Sequence, residues 1–181
     1  MELTGERTLP VSREIAWHAL NDTESLKSAV PGCETIVASG ENAFDVAVNA
    51  AIGPVKARFK GKLELADVQA PESYTIRFDM QGGAAGFSRG DARVKLDAVD
   101  ANTTRLTYVV NASIGGKLAQ IGSRLVDAAS ATMADRFFST FAADLAAKHP
   151  PAAGTVTVPV ATAPGFFATL WAFLEGLYGG R

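Results

Sequence analysis

The sequence predicts an α+β domain: a curved antiparallel sheet of about seven strands wrapped around a long C-terminal helix, with two short helices after strand one. Three observations carry this expectation. Apolar and polar residues alternate with period 2 in consecutive segments from Phe44 to Ile114, separated by short turns. A proline-free stretch from about Lys117 to Lys148 has apolar residues at helical spacing. Between the first strand and the rest, two sets of helix start and stop signals fall within twenty residues or so.

Glu2 to Pro10 reads as the first strand. Ser12 is an N-cap for a helix over Arg13–Leu20, with Glu14 in its first turn. Asn21-Asp22-Thr23 breaks that helix and caps a second, which Pro31-Gly32 ends. Six strands are expected next, five of them delimited by alternation. Phe44, Val46, Val48, Ala50 and Ile52 share one face, and Gly53-Pro54 turns the chain. Val55, Ala57, Phe59, Gly61, Leu63 and Leu65 then alternate with Lys56, Arg58, Lys60, Lys62 and Glu64, the cleanest period-2 pattern in the chain. Tyr74, Ile76, Phe78 and Met80 follow the Ala70–Ser73 turn. Beyond the glycine-rich Gln81–Gly86 connection come Gly90, Ala92, Val94, Leu96 and Ala98. Asp100-Ala101-Asn102 turns the chain into Leu106, Tyr108, Val110, Ala112 and Ile114. Short turns between consecutive strands imply an antiparallel meander with one buried and one wet face.

Gly115-Gly116 ends the sheet, and the long helix begins. Its apolar positions are Leu118, Ile121, Leu125, Ala129, Met133, Phe137, Phe141 and Leu145. Steps of four residues rotate such a stripe by about 40° each, so it winds around the helix. A twisted sheet accommodates a winding stripe. The folded unit is therefore expected over residues 1–148.

Residues 149–163 differ. Pro150, Pro151 and Pro159 stand among small residues without a full charge, as in a semi-rigid linker. Residues 164–181 read as an amphipathic anchor helix. Phe166, Phe167, Leu170, Trp171, Phe173, Leu174, Leu177 and Tyr178 fall within an arc of about 160°. Pro164 suits its start and Gly179-Gly180 its end. It is too short to span a bilayer, and Trp171 and Tyr178 suit a membrane interface. Two other occupants remain open: a groove on a partner protein, or the mouth of the chain's own cavity.

Whole-chain numbers exclude some functions. Of 181 residues, 48% are hydrophobic and 20% charged, with a net charge of −2, which does not point to nucleic acid. Cys33 is the single cysteine, so no intrachain disulfide forms. His18 and His149 lack ligand spacing around them, and no metal site is expected. The opening MELTGERTLP has no apolar run, so no signal peptide is read there. The expected location is cytoplasmic, peripherally associated with the inner face of the cytoplasmic membrane.

The inward-facing set is almost wholly apolar. The residues expected to touch a ligand are Phe44, Val46, Val48, Phe59, Leu63, Phe78, Met80, Val94, Leu96, Tyr108, Val110, Ile121, Leu125, Met133, Phe137 and Phe141. The competing reading of this aromatic stripe is a filled core. General acid–base catalysis needs an ionisable or polar group within reach of substrate, and this set offers only the Tyr108 hydroxyl. No catalytic residue is assigned. On the outer face, Lys56, Arg58, Lys60 and Lys62 form a row, with Arg77, Arg89, Arg93 and Lys95 on neighbouring strands. It reads either as a solvated strand face or as a docking face for an acidic partner or an anionic leaflet.

Several segments together resemble one family: MELTGERTLPVSREIAWHALND at the start, PGCE at Pro31–Glu34, GPVKARFKGKL at Gly53–Leu63, GFSRGDARVKL at Gly86–Leu96, and GGKLAQIGSRLVDAAS at Gly115–Ser130. The chain is similar to the carbon monoxide dehydrogenase CoxG family within the polyketide cyclase/START-like (SRPBCC) superfamily. That resemblance implies a helix-grip fold, a hydrophobic cavity and a membrane-recruiting tail. It further implies service to a molybdenum-containing carbon monoxide dehydrogenase, as a non-catalytic carrier of an isoprenoid quinone (menaquinone or ubiquinone) or as a recruiting adaptor without ligand. A cyclase-like enzyme is the remaining alternative.

Overall fold

The computed structural model describes residues 1–150, so the expected anchor helix and nearly all of the expected linker lie outside the described residues. The order of elements is β1 (Glu2–Leu9), α1 (Arg13–Leu20), α2 (Thr23–Ala29), β2 (Cys33–Gly40), β3 (Ala43–Ile52), β4 (Val55–Gln69), β5 (Ser73–Gln81), β6 (Phe87–Asp100), β7 (Thr103–Gly115), α3 (Lys117–Gln120) and α4 (Ser123–Lys148). The strands form one seven-stranded sheet in the order β1-β7-β6-β5-β4-β3-β2, antiparallel at every pairing. Its free edges are β1 and β2.

Local chemistry accounts for these elements. The Ser12 hydroxyl accepts the Ile15 backbone N–H at 3.4 Å and starts α1. The Asp22 carboxylate accepts the Ser25 N–H at 3.0 Å and the Ser25 hydroxyl at 2.7 Å, which starts α2. These bonds hold the Asp22 carboxyl below the usual aspartate range. Gly32 turns the chain from α2 into β2 with φ +74°, and its carbonyl accepts the Asn49 N–H at 2.8 Å. A Cβ there would collide with the Asn49 carbonyl, so only glycine fits the corner. Along β4, Lys56, Arg58, Lys60, Lys62 and Glu64 are exposed, and Phe59 is buried on the opposite face, as the alternation requires. β2 shows no such alternation. It is an edge strand with two register shifts and a mostly exposed second half, so the sequence did not delimit it.

The long helix is not continuous, which corrects the expectation of one helix from Lys117. α3 ends at Gln120, and Gly122 adopts φ +92° before α4 begins. The winding stripe is corrected with it. In α4 the fully buried residues are Val126, Phe141 and Leu145, whereas Leu125 is 50% exposed. At 100° per residue, Leu125 lies about 160° around the helix from Phe141, and Val126 only about 60°. The buried positions of α4 thus fall on one face of the helix.

The interior has two packed clusters. One, where α4 finishes, joins Leu9, Val11, Ala16, Leu20, Ala29, Tyr74, Leu96, Leu106, Tyr108, Phe141 and Leu145. Each such large side chain contributes about 1.5–3 kcal/mol on burial. Thr104, fully buried there, donates its hydroxyl to the Val11 carbonyl at 2.8 Å, so the hydroxyl is not stranded. The second cluster, where α4 begins, packs Phe59, Ala85 and Leu118 with Ile52, Val55, Met80 and Ile114. Among the described residues no helix is long and apolar enough to cross a membrane.

Candidate functional site

A cavity of about 340 Å³ lies between the sheet, the α1–α2 corner and α4. The strands supply Leu3, Ile36, Phe44, Leu63, Leu65, Tyr74, Ile76, Ala92, Val94, Leu106, Tyr108 and Val110. The helices and their corner supply Leu20, Asn21, Leu26, Val30, Pro31, Met133, Ala134, Phe137 and Phe138. The sheet curves away from α4 at this level. Small residues such as Ala92 and Ala134 do not reach across the gap, so the two apolar faces leave space between them.

The polar side chains of this wall are Asn21, Tyr74 and Tyr108. Asn21 donates its amide to the Trp17 carbonyl at 2.8 Å, which leaves its side-chain oxygen as an acceptor. Tyr74 packs edge-on against Trp17, with ring centroids 5.3 Å apart, and burial pushes its phenol above the ordinary tyrosine range. The Tyr108 phenol lies over Gly5, its Cα partner across the β1–β7 ladder. Its ring stacks on Phe138 at 5.3 Å, and the Arg7 guanidinium sits 5.9 Å from the Tyr108 centroid and 5.4 Å from that of Phe138. Arg7 is itself fixed by an ion pair with Asp135 on α4. The wall therefore carries two tyrosines and one asparagine in an otherwise apolar surround. Among the described residues no cluster of His, Cys, Asp and Glu is arranged to hold a metal ion.

Of the residues expected to touch a ligand, Phe44, Leu63, Val94, Tyr108, Val110, Met133 and Phe137 line this cavity. The others do not, and each has a packing reason. Phe59 and Met80 belong to the second cluster. Leu96 and Phe141 are consumed by the main packed core, with 1% and 0% exposure. Val46, Val48 and Phe78 share the inner face by alternation but are not part of the cavity lining. Ile121 and Leu125 sit beside the Gly53 turn, outside the grip. Sequence reasoning omitted Tyr74, Ile76, Ala92 and Leu106, although their alternation put them on the inner face. It also omitted the α1–α2 corner, where Leu20, Leu26, Val30 and Pro31 close one side of the cavity. Their apolar character beside a helix end was the available signal.

The outer basic row is partly neutralised. Arg58 pairs with Glu34 at 2.5 Å, Arg89 with Asp79 at 3.0 Å and Lys95 with Asp97 at 2.8 Å. The Asn49 amide and the Arg58 guanidinium donate to Glu34 and hold its carboxyl below the usual range.

Comparison with solved structures finds the same architecture. A conserved protein from Geobacillus kaustophilus is 26% identical with a TM-score of 0.77, covering 82% of this chain and 97% of that one. The Zhui aromatase/cyclase from Streptomyces sp. R1128 is 10% identical with a TM-score of 0.65, covering 86% and 99%. A START superfamily protein from Mycobacterium smegmatis is 10% identical, also with a TM-score of 0.65, covering 81% and 98%. The chain thus has the helix-grip fold of the START and cyclase proteins. No curated protein sequence matches it. The family model of CoxG, the G subunit of carbon monoxide dehydrogenase, matches residues 5–146, which contain all the strands but the first few residues of β1, and nearly all of α4. With that match over most of its length, the chain belongs to the carbon monoxide dehydrogenase CoxG family.

Proposed function

We propose that this protein is a non-catalytic carrier of an isoprenoid quinone, of menaquinone or ubiquinone type, serving a molybdenum carbon monoxide dehydrogenase at the inner face of the cytoplasmic membrane. The observation that carries the reading is the apolar cavity of about 340 Å³, with two tyrosines in its wall. A quinone presents a flat, weakly polar ring with two carbonyl acceptors, and the Tyr74 and Tyr108 hydroxyls are donors suited to them. The Phe138 ring, stacked on Tyr108, and the Phe137 ring, edge-on to Phe138, supply the aromatic contact such a ring favours. The family membership favours the dehydrogenase as partner. The cavity's wall lacks an acid–base pair, which favours carriage over catalysis.

Volume limits what is enclosed. Small-molecule sites span roughly 300–1,000 Å³, and this cavity lies near the lower bound. The ring and the first part of an isoprenoid chain fill it, and the remainder of the chain leaves through the wall. Native mass spectrometry with lipid extraction, on full-length protein from a quinone-producing host, tests the reading. One isoprenoid quinone per chain is the expected result. Protein that purifies empty and takes up no quinone from vesicles overturns it. The anchor proposal for residues 164–181 is tested by deleting residues 150–181, which should abolish vesicle recruitment and preserve quinone binding.

A further inference from the structure

The apolar cavity and a polar surface groove share a wall. The groove lies between α4 and the segment running from the end of α2 into β2. Lys27, Ser28 and Cys33 line one side, and Arg136, Ser139 and Thr140 the other. Val30 and Pro31 line both the groove and the cavity. A two-residue partition therefore separates the apolar interior from solvent at this point. The far end of the grip, where α4 begins, is closed by the packed Phe59–Ala85–Leu118 cluster.

The groove carries charge. Lys27 and Arg136 enter no ion pair among the described residues, while Asp135, which also lines the groove, is paired with Arg7. The chain also leaves the domain on this side. Lys148, at the end of α4, donates to the Ser25 hydroxyl of α2 at 3.2 Å and pairs with Asp144 at 2.7 Å. The residues that follow, 151–181, contain Phe166, Phe167, Trp171 and Phe173, and Arg181 as their one Lys or Arg. The described chain thus ends at α2, near a cationic groove that adjoins the cavity, and the sequence that follows is apolar and almost without cations. A phospholipid surface satisfies all three features at once: phosphates for the cations, an acyl boundary for the segment, and an apolar reservoir for the ligand.

We infer that the α2–α4 groove is the face the domain turns toward an anionic lipid surface. Lys27 and Arg136 contact headgroup phosphates there, and the apolar ligand passes between lipid and cavity at Val30–Pro31. The passage of ligand rests on the carrier reading above; the docking face does not.

The test uses the full chain with vesicles of phosphatidylcholine, alone or mixed with phosphatidylglycerol. Each Lys or Arg near an anionic leaflet contributes about a fivefold gain in affinity, so the double variant K27Q/R136Q should bind the mixed vesicles about 25-fold more weakly. Its binding to phosphatidylcholine alone should match that of the unaltered protein. Cys33, the chain's single cysteine, reports orientation directly. Its alkylation by a water-soluble maleimide should slow several-fold on mixed vesicles. Alkylation at the free rate on vesicle-bound protein overturns the proposal, as does undiminished binding by K27Q/R136Q. If that variant keeps vesicle binding and instead loses the dehydrogenase, the groove belongs to an acidic protein and the proposal falls. Protein that purifies without quinone and takes none up from vesicles, yet shows Cys33 protection, supports the docking face and overturns the carrier reading.

Discussion

Replacing Gly5 by alanine puts a methyl group where the Tyr108 ring now lies. A Cβ at Gly5 would stand 2.7 Å from the Tyr108 Cε1 and closer still to the phenol end of the ring. Gly5 and Tyr108 are opposed in a ladder of eight consecutive pairs from Glu2 to Leu9, so the backbones resist separation. Tyr108 lines the cavity, so the ring has room to tilt that way. The tilt weakens the stack on Phe138, a contribution of about 0.5–1.5 kcal/mol. It also disturbs the Arg7 contact, worth about 0.5–1 kcal/mol. Their sum of about 1–2.5 kcal/mol agrees with the 1–3 kcal/mol typical of overpacked sites. For a domain of this size that is a fall in Tm of about 2–10 °C. The same tilt narrows the cavity, so quinone loading in the folded protein should drop. Thermal unfolding and native mass spectrometry read the two effects, and a double-mutant cycle with Tyr108→Leu isolates their cause. Removing the ring should abolish the cost of Gly5→Ala. An equal cost in both backgrounds refutes the reasoning, because the strain would then lie in the β1 backbone.

Two further outcomes follow from the site and its supports. Met133→Trp or Phe137→Trp should fill the cavity and block quinone uptake while near-native circular dichroism persists; normal uptake would show that the wall is elsewhere. Asp22→Ala should destabilise the domain by about 0.5–2 kcal/mol through loss of the α2 cap, measured by urea unfolding near neutral pH. Because the folded-state pKa of Asp22 is lowered, its contribution is complete above the ordinary value of 3.8 and fades as pH falls through the lower folded value. The difference between Asp22→Ala and the unaltered protein should therefore shrink in strong acid, and a constant gap would refute this assignment.

How much of this was legible in the sequence depended on which signal each element emits. β4 was readable because one of its faces is wet: lysines and arginines at alternate positions mark it from Lys56 to Lys62. β2 emits no such signal, since an exposed edge strand has no buried face to enforce a pattern. The helix break escaped notice because glycine within a helix costs only about 1 kcal/mol relative to alanine, so Gly122 alone does not announce a terminus. The cavity was legible in kind but not in extent. Alternation tells which face a residue occupies and says nothing about depth along the strand. Phe59 and Leu63 share a face of β4 and stand about 13 Å apart, yet one seals the end of the grip and the other lines the hollow. Tyr74 and Met80 on β5 divide the same way: Tyr74 lines the hollow and Met80 packs at the sealed end.

The hollow has a consequence for how the domain responds to compression. A packed core gives up little volume on unfolding, whereas an apolar void held open by the sheet and α4 is volume that unfolding eliminates. A quinone seated there removes most of that difference. Hydrostatic pressure should therefore distinguish the empty domain from the loaded one more sharply than heat does. The empty form would yield first, beginning where the α1–α2 corner and α4 enclose the hollow, while the sealed end around Phe59 and Leu118 keeps its packing longest.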